Sequence, residues 1–150
     1  MLLITPLSAT AWPGTVVRVI DGDSLIIRRH DNGEDIRIRL FGVDSPEKNQ
    51  PHGVEAGNFT IHAVLNKAVG VVELNRDRYD RTVAAIILLE SGESLEELLL
   101  AAGLAWVDER YCKRCAAWLS LQEQARSQGR GMWTDAVCLP PWAWRKKSPE

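Results

Sequence analysis

Between Gly14 and Leu40 apolar and polar residues alternate with period two, and no other stretch constrains the fold as tightly. Val17, Val19, Leu25, Ile27, Ile36, Ile38 and Leu40 occupy alternate positions, which in a strand share one face. Turn signals interrupt the run at Asp21-Gly22-Asp23 and at Asp31-Asn32-Gly33-Glu34. Asp-Gly and Asn-Gly suit the positive φ of tight hairpin loops, so three antiparallel strands follow. Two more, rich in Val and Ile, are expected over Val69–Leu74 and Thr82–Leu89.

Helical spacing takes over elsewhere. Ala56, Phe59, Ala63 and Val64 mark a helix over Val54–Lys67. Ser94-Leu95-Glu96-Glu97 is a capping box and Gly103 a stop, which bounds a short helix at Ser94–Ala102. A third, Cys115–Gln128, carries Trp118, Leu121 and Ala125 on one face and ends at Gly129. The order β-β-β-α-β-β-α-α predicts an α+β, mainly β fold: a five-stranded OB-type barrel with three helices. A mixed α+β sandwich is the alternative, but a closed barrel leaves no long exposed edge.

Charge narrows the function. Lys and Arg number 18 against 20 Asp and Glu, a formal net charge of −2, which excludes a general polycation. Phosphate binding would need a few placed cations. The longest apolar stretch, Leu98–Val107, is too short to cross a bilayer. At 150 residues one domain is expected, over residues 12–136, and nothing demands more than a monomer. Before it, residues 1–11 read as a possible signal-peptide remnant, because Ala9-Thr10-Ala11 fits cleavage before Trp12 although no basic n-region precedes it. That favours export, periplasmic or secreted. After it, residues 137–150 form a tail with Trp142, Trp144, Arg145, Lys146 and Lys147, whose tryptophans are expected to pack while the lysines stay solvated. Cys112-x-x-Cys115 lacks partners for zinc and a βαβ setting for redox chemistry, and His30, His52 and His62 are not spaced as ligands. Buried thiols or one disulfide remain, with Cys112–Cys115 the favoured pair.

Three segments collect the chemistry: Asp21-Gly22-Asp23-Ser24, Arg39 through Glu47, and Asp77-Arg78-Tyr79-Asp80-Arg81. A turn rich in Asp and Gly is common for backbone reasons alone. The middle segment is harder to dismiss. It puts Arg39 on the strand face opposite Ile38 and Leu40, and Glu47 three positions after Asp44 on a loop stiffened by Pro46. Oxygen donors on turns suit a hard cation such as Ca²⁺ or Mg²⁺. Arginines beside them suit phosphate, whose oxygens they bind two at a time.

These segments, in this order, resemble the staphylococcal nuclease family from about Gly14 to Trp133. Gly14 through Ser24 matches its opening strands, and Arg39 through Glu47, with Gln50 and Gly53, its central signature. Asp77 through Arg81 falls at its third motif, and Gly103-Leu104-Ala105 and Glu123 to Trp133 also fit. The resemblance implies a Ca²⁺-dependent nuclease that hydrolyses DNA and RNA to 3′-phosphate ends. Residue by residue, it implies Asp23, Asp44 and the Ser45 carbonyl as metal ligands and Glu47 as general base. Arg39 and Arg81 would hold the phosphate, while Tyr79 and Tyr111 would face the substrate. Asp80 stands where the family has glycine, which implies a positive φ there and a carboxylate able to draw Arg81 away. An OB groove reaches unstacked bases, so single strands are the expected substrate. The alternative is an OB module that binds nucleic acid without cleaving it; a Ca²⁺-stabilised structural domain would have no use for the arginines.

Overall fold

A computed structural model describes residues 11–112 and 115–147. Five strands close into one barrel in the order β1-β2-β3-β6-β5. They are β1 (Ala11–Asp21), β2 (Ser24–Arg29), β3 (Asp35–Leu40), β5 (Ala68–Arg76) and β6 (Thr82–Leu88). All neighbours are antiparallel except β3 and β6, whose parallel pairing runs Ile38 to Thr82, Arg39 to Val83 and Leu40 to Ala84. The expected mainly β barrel is therefore present. A separate short pair, β4 (Val43–Asp44) with β7 (Trp106–Val107), ties the chain after β3 to the segment after the second helix.

The period-two reading holds along β6, where Thr82, Ala84, Ile86 and Leu88 are buried and the residues between are not. It slips in β1. The structure buries Trp12, Gly14 and Val16, and leaves Val17 and Val19 only half-buried. The cause is a β-bulge: Val16 pairs with Ile27 and Arg18 with Ile26, so Val17 has no partner in the register. One extra residue reverses which side chains face inward.

Four α-helices are described rather than the three expected: α1 (Gly53–Val64), α2 (Leu95–Ala101), α3 (Ala116–Ser127) and α4 (Pro141–Lys147). A 3₁₀ turn (Gly131–Thr134) lies between the last two. The Ser94 hydroxyl caps α2 by accepting from Glu97 N, and Gly103 leaves it at φ 73°. Helix α4 is the addition, formed by the tail. Its Pro141 is buried and Trp142 lies edge-on to Trp106, with ring centroids 5.7 Å apart. No described helix is long and apolar enough to cross a membrane. Cys112 and Cys115 are joined as a disulfide and Cys138 is free. The Ala9-Thr10 part of the cleavage pattern lies outside the described residues.

Candidate active site

The three charged segments meet at one end of the barrel. The β1–β2 turn carries Asp21 and Asp23, and it is fixed to α1 by Thr60, whose hydroxyl donates to Gly22 O at 2.8 Å. Gly22 is packed so closely that a Cβ there would lie 2.8 Å from Ser45 Oγ. Ser45 N in turn donates to Asp23 Oδ2 at 2.8 Å, which locks the turn to the loop after β4. Asp23, Asp44 and Ser45 are all buried. Ser45 Oγ, also buried, has no hydrogen-bond partner among the described residues.

Glu47 is positioned from behind. Its N–H donates to Gln50 Oε1 at 3.0 Å, and its carbonyl accepts from Gln50 N at 2.8 Å. Gln50 is itself held by donating from Nε2 to Leu139 O at 2.7 Å. Gly53, at the start of α1, presses against the same loop; a Cβ there would sit 1.8 Å from Glu47 O. Only glycine fits.

Arg39 crosses the floor. Its Nη1 donates to Leu40 O at 2.9 Å and to Val43 O at 2.8 Å, and the guanidinium lies 3.4 Å from Asp23 Oδ2 and 3.3 Å from Asp44 Oδ1. Arg81 comes from the β5–β6 turn. Its Nε donates to Asp77 Oδ2 at 2.7 Å and its backbone N–H to Asp77 Oδ1 at 3.0 Å. Asp80 does not draw Arg81 aside: it pairs with Arg76 at 2.8 Å while taking φ 59°, the left-handed conformation that the family's glycine implied. Tyr79 and Tyr111 are both exposed on the rim of the same cleft, of about 990 Å³, which also includes Arg39, Asp44, Glu47 and Arg81.

Burial sets the protonation states against one another. Desolvation, added to by the Asp23 charge, pushes Asp21 up to about 7. Asp44 is also raised by burial, to about 6, although Arg145 and Arg39 oppose the shift. Asp23 goes the other way: burial alone would raise it, but the charge of Arg39 and the hydrogen bonds from Asp21 and Ser45 hold it below the usual carboxylate range. Asp21 is a group that the sequence reading passed over, although it sits in the turn already singled out. Arg145 is a second, with only the basic tail as a signal. Its Nη2 donates to Asp44 Oδ2 at 2.8 Å and its Nη1 bonds Glu47 Oε1. The tail's lysines are exposed as expected, but its arginine is not simply solvated.

The donor set fits a hard divalent cation: carboxylate oxygens on two turns, with no sulfur or imidazole among the cleft-lining residues. In the arrangement described, no three carboxylates among the described residues converge as a ready-made metal cage, since guanidinium groups stand between them. Residues 37–135 match the model of the staphylococcal nuclease homologue family, which is most of the chain. The chain belongs to that family. It is 37% identical over 144 residues to an uncharacterized endonuclease of Escherichia coli O157:H7, covering 91% of this chain and 92% of the relative. It is 31% identical over 152 residues to a micrococcal nuclease of Shigella flexneri, covering 94% and 86%. A staphylococcal-like nuclease of Arabidopsis thaliana is 38% identical over 112 residues, 73% of this chain and 33% of the plant protein. The family match takes in Arg39, Asp44, Glu47, Tyr79 and Arg81, whereas α4 lies beyond it.

Proposed function

We propose that this staphylococcal nuclease family member is a Ca²⁺-dependent nuclease that hydrolyses phosphodiester bonds of DNA and RNA, single strands before duplex, leaving 3′-phosphate ends. The observation that carries the reading is the meeting of Asp23, Asp44, Glu47, Arg39 and Arg81 in one cleft. Asp23, Asp44 and the Ser45 carbonyl would hold the cation. When bound, Ca²⁺ supplies the positive charge that polarises the phosphodiester and eases deprotonation of a nearby water.

The remaining work falls to the chain's own side chains. Glu47, clamped by Gln50, accepts the proton of the attacking water. As water adds to phosphorus, negative charge grows on the phosphoryl oxygens; the bond to the 5′ oxygen then breaks, and that oxygen leaves as the 5′ hydroxyl with a proton taken from solvent. Arg39 and Arg81 stabilise that charge most where it is largest, in the transition state. Tyr79 and Tyr111, exposed on the rim, face the substrate strand. The protein acts as a monomer. Export is consistent with the Cys112–Cys115 disulfide, which persists in an oxidising compartment.

The test is degradation of single-stranded DNA and RNA by purified protein with Ca²⁺, with EDTA, and with Glu47→Gln. The expected result is Ca²⁺-dependent cleavage that EDTA abolishes and the variant weakens at least ~10²-fold. Product 3′ ends should accept label only after phosphatase treatment, whereas the 5′ hydroxyl ends should accept phosphate from a kinase directly. Folded protein that cuts nothing at saturating Ca²⁺ would sink the reading and leave a nucleic-acid-binding OB module.

A further inference from the structure

We propose that Arg145 is the protein's own competitor for the cation: it holds Asp44 and Glu47 in the cation-free chain and must release them before a divalent cation binds. The proposal rests on the nuclease reading above, which puts a cation against these carboxylates.

The contact is built rather than incidental. Arg145 reaches both Asp44 oxygens, at 3.4 and 2.8 Å, and bonds Glu47 as well. Residues on three sides fix the helix that carries it. Trp142 lies against Trp106, Trp144 Nε1 donates to Asn49 Oδ1 at 3.3 Å, and Gln50 ties Leu139 down from the Glu47 loop. The same glutamine thus positions both the proposed base and the chain leading to its guanidinium partner. Asp44 is nearly fully buried, with its side chain 2% exposed, and its oxygens face only guanidinium groups, those of Arg39 and Arg145. A cation on Asp44 would need the Oδ2 that Arg145 bonds at 2.8 Å, so the two compete for one atom, whereas Arg39 stands 3.3 Å from the other oxygen. The two occupants exclude each other.

Arg145 is also the one that can leave. Its side chain is 45% exposed, and α4 is a short helix outside the barrel rather than one of its strands. Arg39, by contrast, is only 18% exposed and is bound to two backbone carbonyls. Competition of this kind multiplies the intrinsic affinity by the fraction of chains in the open arrangement. If about one chain in ten is open, removing Arg145 tightens the cation about tenfold, or 1.4 kcal/mol.

Calorimetric titration of Ca²⁺ into the full chain measures this without substrate. Wild type should bind in the roughly 10⁻⁴–10⁻³ M range of weak extracellular sites. Arg145→Ala should bind about tenfold tighter, and Arg145→Gln should repeat the shift if the alanine variant folds poorly. Lys146→Ala removes the same charge one residue away in the same cleft, from a side chain with no carboxylate partner among the described residues. It should stay within about threefold of wild type, since screening blunts exposed charges. Equal affinities for wild type and both Arg145 variants overturn the proposal while leaving the cation reading intact. Equal tightening in Lys146→Ala also overturns it, because bulk charge then explains the effect. No Ca²⁺ binding by any variant overturns the cation reading itself and the proposal with it.

Discussion

Glu96 offers a measurement of the fold that is independent of the nuclease chemistry. It is fully buried at the start of α2, where Ile86 N donates to its Oε1 at 3.1 Å and the Ser94 hydroxyl to its Oε2 at 3.0 Å. No cation pairs with it among the described residues. Burial raises its pKa from an ordinary 4.5 to about 7, against the pull of those hydrogen bonds. Between those pH values the folded chain keeps a proton that the unfolded chain has lost. Stability therefore falls as pH rises through the interval, at up to about 1.4 kcal/mol per pH unit, and about 3 kcal/mol is lost by pH 8. Glu96→Gln mimics the protonated form and does not titrate. Urea unfolding followed by tryptophan fluorescence should find the two proteins within about 1 kcal/mol at pH 4.5, where neither is charged at this position. At pH 8 the glutamine variant should be more stable by about 2–3 kcal/mol. Asp21 and Asp44, raised to about 7 and about 6, slope the same way, but they are common to both proteins and cancel in the difference. A difference independent of pH, or one favouring wild type at pH 8, would refute the reasoning.

Two substitutions probe the site directly. Gly53→Ala puts a Cβ 1.8 Å from Glu47 O, backbone against backbone, so the Glu47 loop has to move. We expect about 1–3 kcal/mol of destabilisation in thermal unfolding and a fall of roughly 10²-fold in kcat, since a displacement near 1 Å at the base has that effect; an alanine variant with wild-type kcat would show that the loop position does not matter. Arg39→Ala removes the floor guanidinium and should lower kcat by about 10²–10³ at saturating Ca²⁺, read from initial rates on single-stranded DNA. A loss smaller than tenfold would mean that Arg39 serves the fold through Leu40 O and Val43 O rather than the reaction.

What could be read from the sequence is what depends on neighbours along the chain. Strand β6 shows its burial one residue at a time, and Ser94 caps α2 as its spacing to Glu97 predicts. The positive φ of Asp80 follows from a residue standing where a family expects glycine. The failures share a cause as well. The bulge at Val17 is a property of the pairing between β1 and β2, and no periodicity within β1 reveals it. The partner of Arg81 is set by the curvature of the β5–β6 turn, which brings Asp77 under its Nε and turns Asp80 outward to Arg76. Arg145 is 101 residues from Asp44, and it arrives only because Trp142 finds Trp106 and Gln50 finds Leu139. Spacing rules carry no information about such encounters.

The hydrogen bonds also separate the three guanidiniums by what each has left to offer a phosphate. Arg39 spends Nη1 on two carbonyls and keeps Nη2 near Asp44, so it is rigid and partly consumed. Arg81 is hydrogen-bonded through Nε and its backbone N–H alone, its guanidinium lies 5.5 Å from the centroid of the Tyr79 ring, and its two terminal nitrogens have no hydrogen-bond partner among the described residues. A fork anchored at Nε with both tips free is the arrangement that grips two phosphate oxygens at once. Asp77 therefore orients Arg81, because it accepts from the one nitrogen a bidentate phosphate contact through the tips does not need. Arg145 is the converse case, with both tips on carboxylates. On the proposed competition, it would reach a phosphate only after a cation had taken those carboxylates from it. Of the three, Arg81 has its tips free, Arg39 shapes the floor, and Arg145 is held on Asp44 and Glu47 until, on the proposed competition, a cation displaces it.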